Sequence, residues 1–244
     1  MALTIQSNLQ WAGQGMERPE AFLFDMDGLL LDSERVYRDV AIELMRPMGF
    51  DHAQAEAHFM TLVGNSGPEG LRRIAAFAGS RERAVAFNDA MHAGVKAALE
   101  AHVPLRPMVR EALAALARQG ARMAVVTSTH GANARRHLAH SGLLDHFEFV
   151  VAGDEVRANK PDPAPYLQAA EFFGMDPRHC AAFEDSDPGT TSAVTAGCHT
   201  TQIPDLRPIG QALPNLGQRV APNLWAALEG LGVLKGSESS LTQS

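Results

Sequence analysis

The chain has 244 residues, long enough for a large hydrophobic core in one α/β domain with an insertion or in two modest domains. Hydrophobic residues make up 45%, charged residues 20%, and the net charge is −7. That balance, with charges dispersed along the chain, excludes the basic patch of a nucleic-acid binder.

Residues 1–19 are polar and irregular and read as a loose arm. Ala21-Phe22-Leu23-Phe24 is a short apolar run ending at Asp25, as expected of a strand buried on both faces of a parallel sheet. Ser33 is placed to cap a helix, and Val36, Val40, Leu44 and Met48 recur at helical spacing after it. Further helices are predicted at about 53–62, 68–79 and 81–101, with no strand among them. After Pro104 strands and helices alternate: a helix at 108–119 ended by Gly120, a strand Met123–Val126, a helix at 131–140, and a strand Phe147–Val151. A helix at 163–173, a strand Ala181–Phe183, a helix at 187–196, a strand near His199–Ile203 and a helix at 222–232 complete the series. This pattern predicts a mainly parallel, flavodoxin-like (Rossmannoid) α/β core with an inserted all-helical cap. The boundaries are 1–32 and 101–235 for the core, 33–100 for the cap, and 236–244 for a disordered Ser-rich tail.

Cys180 and Cys198 read as free thiols, with no zinc spacing. No apolar run approaches a membrane span, and the N-terminal segment lacks the basic start and apolar stretch of a signal peptide. A cytoplasmic protein with no membrane or nucleic-acid partner is expected, as a monomer or homodimer.

Ligands of an open parallel sheet bind outside the carboxyl ends of its strands. Those ends carry Asp25 and Asp27, Thr127 and Ser128, and Glu184 and Asp185, while Lys160-Pro161 precedes a later helix. Each has a plain structural reading: Asp25 and Asp27 as turn caps, Thr127 as a strand-end hydroxyl, Lys160 as a solvated lysine, Glu184 and Asp185 as a helix N-cap pair. Their gathering at one sheet edge is harder to explain as packing. Clustered carboxylates repel unless a cation joins them, and an all-oxygen donor set suits Mg²⁺.

The strings FDMDGLLLDSE, VVTST, NKPDPAPY and FEDSDPG occur in this order and resemble the four motifs of the haloacid dehalogenase-like hydrolase superfamily. The resemblance covers roughly residues 20 to 203. The segment 33–100 falls where the β-phosphoglucomutase and small-metabolite phosphatase subgroup carries a helical cap. The resemblance implies a Mg²⁺-dependent phosphatase acting on a small phosphorylated metabolite. In it Asp25 is the nucleophile that forms an aspartyl-phosphate, and Asp27 is the general acid and base. Mg²⁺ is held by Asp25, the main-chain carbonyl of Asp27 and Asp185, with Glu184 a further ligand or an orienting group. Thr127, the Ser128 N–H and Lys160 bind the phosphoryl oxygens.

Asp27 favours phosphoryl transfer over dehalogenation, because a departing halide needs no proton. The mutase branch has histidine where Tyr37 stands, which favours a phosphatase over the alternative, a phosphosugar mutase. The expected substrate is a sugar phosphate or a nucleoside monophosphate. His130 and the loop from Gly64 to Gly67 are further candidates. Each has a plain alternative, a surface histidine and a helix connector.

Overall fold

The computed structural model describes residues 19–63, 67–207 and 210–234. The N-terminal arm, Gly64 to Ser66 of the candidate loop, and the Ser-rich tail lie outside them.

The sheet has six strands in the order β3-β2-β1-β4-β5-β6, all pairs parallel. They are β1 (Ala21–Phe24), β2 (Arg122–Val126), β3 (Phe149–Val151), β4 (Cys180–Glu184), β5 (His199–Gln202) and β6 (Arg219–Val220). This is the Rossmannoid sheet expected, with the strand order of the doubly wound dinucleotide-type arrangement. The edge strand β6 was not foreseen; two residues carry no readable alternation. Strand β1 is buried at every position because side chains of alternating residues enter two separate cores. Phe22 and Phe24 join Val125 and Phe183 on one face; Ala21 and Leu23 join Val126, Tyr166 and Ala182 on the other. Cys180 and Cys198 are free and buried, and burial pushes the Cys180 thiol up to about 12.

Between β1 and β2 run five helices: α1 (Ser33–Met45), α2 (His52–Met60), α3 (Gly67–Ala78), α4 (Arg81–Ala101) and α5 (Val109–Arg118). The first four enclose a core of their own, in which Ile42, Met45, Phe59, Ile74, Phe87 and Val95 meet. The remaining helices are α6 (Gly131–His140), α7 (Ala164–Phe173), α8 (Asp187–Ala196) and α9 (Leu224–Gly230). None of the helices among the described residues is long and apolar enough to cross a membrane.

Ser33 does not cap α1. It is the buried first helical residue, and Asp32 occupies the cap position without a side-chain bond to the backbone. The Asp32 carboxylate is drawn instead to Arg35, 2.5 Å away. This pair belongs to a charged knot at the point where the chain leaves the sheet for the helices and returns. The two crossings are tied by main-chain bonds from Asp32 N to Pro104 O (2.9 Å) and from Arg106 N to Leu30 O (3.0 Å). Arg106 lies 2.8 Å from Asp205, whose side chain is 2% exposed, and Arg35 lies 3.2 Å from the same carboxylate. Removing Arg106 takes away the nearer of the two cations that hold the buried Asp205 carboxylate and leaves Arg35 alone at 3.2 Å. Arg106→Met therefore destabilises the fold by about 2 kcal/mol, the scale of one lost bond between charged groups. Urea unfolding checks this, and an unchanged midpoint contradicts it.

Candidate active site

Register decides what meets at the sheet edge. Phe24 lies level with Val125 of β2 and Phe183 of β4, so Asp25 emerges beside the ends of both neighbours. Asp25 N donates to Phe183 O at 3.0 Å, which extends the ladder one residue beyond the strand. The stacked rings of Phe24 and Phe183, 5.2 Å apart, pack directly beneath. Here the chain leaves β1 towards β2 on one side and β4 lies on the other, the crevice where doubly wound folds bind ligands.

Lys160 joins three strand ends. Its Nζ donates to Asp25 Oδ1 at 2.5 Å, to Glu184 Oε1 at 2.5 Å and to Val126 O at 2.8 Å. All three protons of the ammonium are thereby used. Glu184 is wholly buried, and its Oε1 also accepts from the Tyr166 hydroxyl at 2.6 Å. Helix α8 begins beside this carboxylate, and at Gly189 there is no room for more than a hydrogen: a Cβ would overlap the Glu184 oxygens. Burial works against the Lys160 charge, but Asp25 and Glu184 outweigh it and hold the ammonium above the usual lysine range.

Ligand atoms of Asp25, Glu184 and Asp185 lie within 4.8 Å of one another. Burial, with mutual repulsion added, pushes the carboxyls of Asp25 and Asp185 well above the ordinary aspartate value. Gly28, at φ +82°, completes the crowding, since a Cβ there would strike the Asp185 carboxylate. Three acids around one ammonium form a hard, oxygen-only donor set with uncompensated negative charge, which fits a small divalent cation. Glu184 is the least free of them, being already engaged by Lys160 and Tyr166.

Asp27 stands apart from the three-acid group and faces the cavity, its Oδ2 accepting from the Thr129 hydroxyl at 2.7 Å. Thr127 is buried, and its Oγ1 accepts from Thr129 N at 3.0 Å, which folds the strand end into a tight turn. Ser128 lines the cavity with its N–H making no hydrogen bond among the described residues. The structure thus brings Asp25, Asp27, Thr127, Ser128, Lys160 and Asp185 to one cavity of about 510 Å³, with Glu184 directly behind.

His130 is not part of this cavity. It caps α6 from the surface, with Nε2 3.0 Å from Asp154. Val63 and Gly67, at the two ends of the candidate loop, do line the cavity. Tyr166 and Thr129 carry roles that residue type alone did not indicate. Both stand inside the recognised motif strings, six residues after Lys160 and two after Thr127, and that position was the available signal. Glu34, Tyr37, Asn88 and His92 line the side of the cavity away from the sheet. Burial and the nearby Asp205 and Asp27 push the Glu34 carboxyl up to about 7.

A sheet-edge crevice with paired aspartates, a buried lysine and a hydroxyl turn defines a phosphoric monoester hydrolase, and the comparisons agree. The family model described as haloacid dehalogenase-like hydrolase matches residues 22–203, and the chain belongs to that family. It is 33% identical over 195 residues to protein CbbY of Rhodobacter capsulatus, covering 76% of this chain and 85% of that one. It is 30% identical over 178 residues to the phosphorylated carbohydrates phosphatase of Thermotoga maritima, covering 73% and 82%. Among solved structures, a family hydrolase from Deinococcus radiodurans with bound phosphate and sodium superposes with a TM-score of 0.73 at 25% identity, covering 91% of this chain and 100% of that one.

Tyr166→Phe removes one hydroxyl donor from the buried Glu184 carboxylate and leaves the ring in place. The fold loses about 2 kcal/mol. Chemical denaturation measures this, and stability equal to the parent's would show that Glu184 does not depend on the tyrosine.

Proposed function

We propose that the protein hydrolyses a small phosphate monoester, a sugar phosphate or nucleoside monophosphate, through an aspartyl-phosphate on Asp25 with Mg²⁺ at the sheet edge. The observation that carries this reading is the pairing of Asp25 with Lys160 beside Asp185, opening onto a cavity that Asp27 and the Thr127–Thr129 turn also face.

Asp25 and Asp185, with the main-chain carbonyl of Asp27, would hold the ion. Once bound, it neutralises the carboxylates and the phosphate, so that two anions can approach. Lys160 holds Asp25 through Oδ1 and leaves the other oxygen to attack phosphorus. That attack forms the Asp25–phosphorus bond and breaks the bond to the alcohol oxygen. Asp27 gives its proton to the departing oxygen and is held for the task by Thr129. Asp27 then takes a proton from water, whose oxygen attacks the aspartyl-phosphate, releasing inorganic phosphate and free Asp25. Thr127 and the Ser128 N–H bind phosphoryl oxygens. Lys160, with its three protons committed, acts on them as a fixed charge beneath Asp25 rather than as a direct donor. Glu184 serves here as the anchor of Lys160. The helices of residues 33–100 form a cap that excludes water during the first step and admits one for the second.

Two outcomes test the reading. Asp25→Asn lowers phosphate release by about 10³-fold or more while circular dichroism and the thermal midpoint stay near the parent's; normal turnover in the variant refutes the nucleophile. Excess chelator stops turnover and Mg²⁺ restores it; full activity in chelator contradicts the metal role.

A further inference from the structure

We infer that the cap side of the cavity selects phosphate esters of an uncharged polyhydroxy alcohol and rejects leaving groups that carry a second anionic group. This rests on the phosphatase reading above and narrows it.

The cavity has two unlike halves. The sheet edge supplies the phosphate chemistry. The opposite wall is built from α1 to α4 and is mostly apolar, with Phe59, Leu62, Ile74 and Met91. Four polar side chains interrupt it in two pairs. Glu34 and Tyr37 are three residues apart on α1, and Asn88 and His92 are four apart on α4, so each pair shares one helix face. The two pairs meet where the rings of Tyr37 and His92 pack edge to face, 6.2 Å between centroids. Glu34 and Asn88 make no side-chain hydrogen bond or ion pair among the described residues, so their capacity is open to a ligand. A carboxylate is the strongest acceptor a side chain offers to hydroxyl donors, and its two oxygens can serve neighbouring hydroxyls at once. A volume of about 510 Å³ is that of a small-metabolite site.

Charge decides what is refused. Lys160 is the only lysine or arginine among the described residues lining the cavity, and its protons are spent on Asp25, Glu184 and Val126. Of the arginines on the capping helices, Arg35 is turned to Asp32 and Asp205, Arg38 to Asp39, and Arg72 and Arg73 to Glu69, while Arg81 and Arg83 do not line the cavity. A leaving group with its own carboxylate or second phosphate would therefore meet Glu34 and Asn88 with no lysine or arginine of the cap wall to receive it. A second anionic group left unpaired there is disfavoured against a hydroxyl that Glu34 accepts, which serves as a device for rejection.

The test uses the full-length enzyme with Mg²⁺ and measures kcat/KM for a hexitol phosphate, a ketohexose phosphate, phosphoglycolate, a hexose bisphosphate, a nucleoside monophosphate and p-nitrophenyl phosphate. The polyol and sugar monophosphates are expected to exceed phosphoglycolate and the bisphosphate by about tenfold to a hundredfold, the scale of one hydrogen bond to a charged group. Glu34→Gln should narrow that ratio and Glu34→Lys should invert it in favour of phosphoglycolate. A parent enzyme that prefers phosphoglycolate, the bisphosphate or the nucleotide overturns the inference, while its turnover of p-nitrophenyl phosphate leaves the phosphatase reading standing. Ratios unmoved in both folded Glu34 variants overturn it as well. Failure to hydrolyse any of the esters ends both readings together.

Discussion

Carboxylates crowded at the end of a parallel sheet repel one another, and the surroundings of this site are arranged around that repulsion. Asp25, Glu184 and Asp185 come within 4.8 Å, in a buried place where water screens little. One lysine is sunk among them and bonded to two of the acids and to a strand-end carbonyl. A tyrosine from α7 steadies the acid behind it. Two glycines give up their side chains so that the acids fit. Even so the negative charge exceeds the positive, and the carboxyls of Asp25 and Asp185 respond by holding protons more tightly than usual. Such an arrangement is costly to fold and is ready to accept a cation.

The sheet supplies the precision. Parallel pairing in fixed register sets Asp25 level with the ends of β2 and β4, and the stacked pair Phe24 and Phe183 holds those ends from below. The first four helices between β1 and β2 make a third hydrophobic core and reach the sheet through two adjoining crossings. The Asp32, Arg35, Arg106 and Asp205 knot sits on those crossings. The acids of the sheet edge and the cap wall are thus placed on different layers, joined by a narrow neck.

Much of this was readable in the residue pattern. The apolar runs ending in Asp25, Thr127 and Glu184 marked three strand ends, because a strand buried on both faces has no alternation to obscure its limits. Helix α4 and helix α8 fell within the expected bounds, since each is opened by a serine cap whose side chain accepts from the first turn. What depends on distance in space was less legible. That Lys160 would spend all its protons on acids and a carbonyl follows from three-dimensional closure, and so does the partnership of Glu184 with Tyr166. Ser33 looked like a cap but lost that place because Arg35 and Arg106 pull the preceding aspartate into the charged knot. The polar pairs on α1 and α4 were invisible as a group, since residues 37 and 92 meet only when two helices pack.

The central claim is that Asp25 becomes covalently phosphorylated. Rapid acid quenching of the enzyme during turnover of a ³²P-labelled ester, followed by peptide mapping, tests it most directly. Label retained on the peptide that contains Asp25, labile to hydroxylamine and absent in the Asp25→Asn variant, is the result expected. Turnover with no protein-bound label at any quench time, or label on another residue, would contradict it.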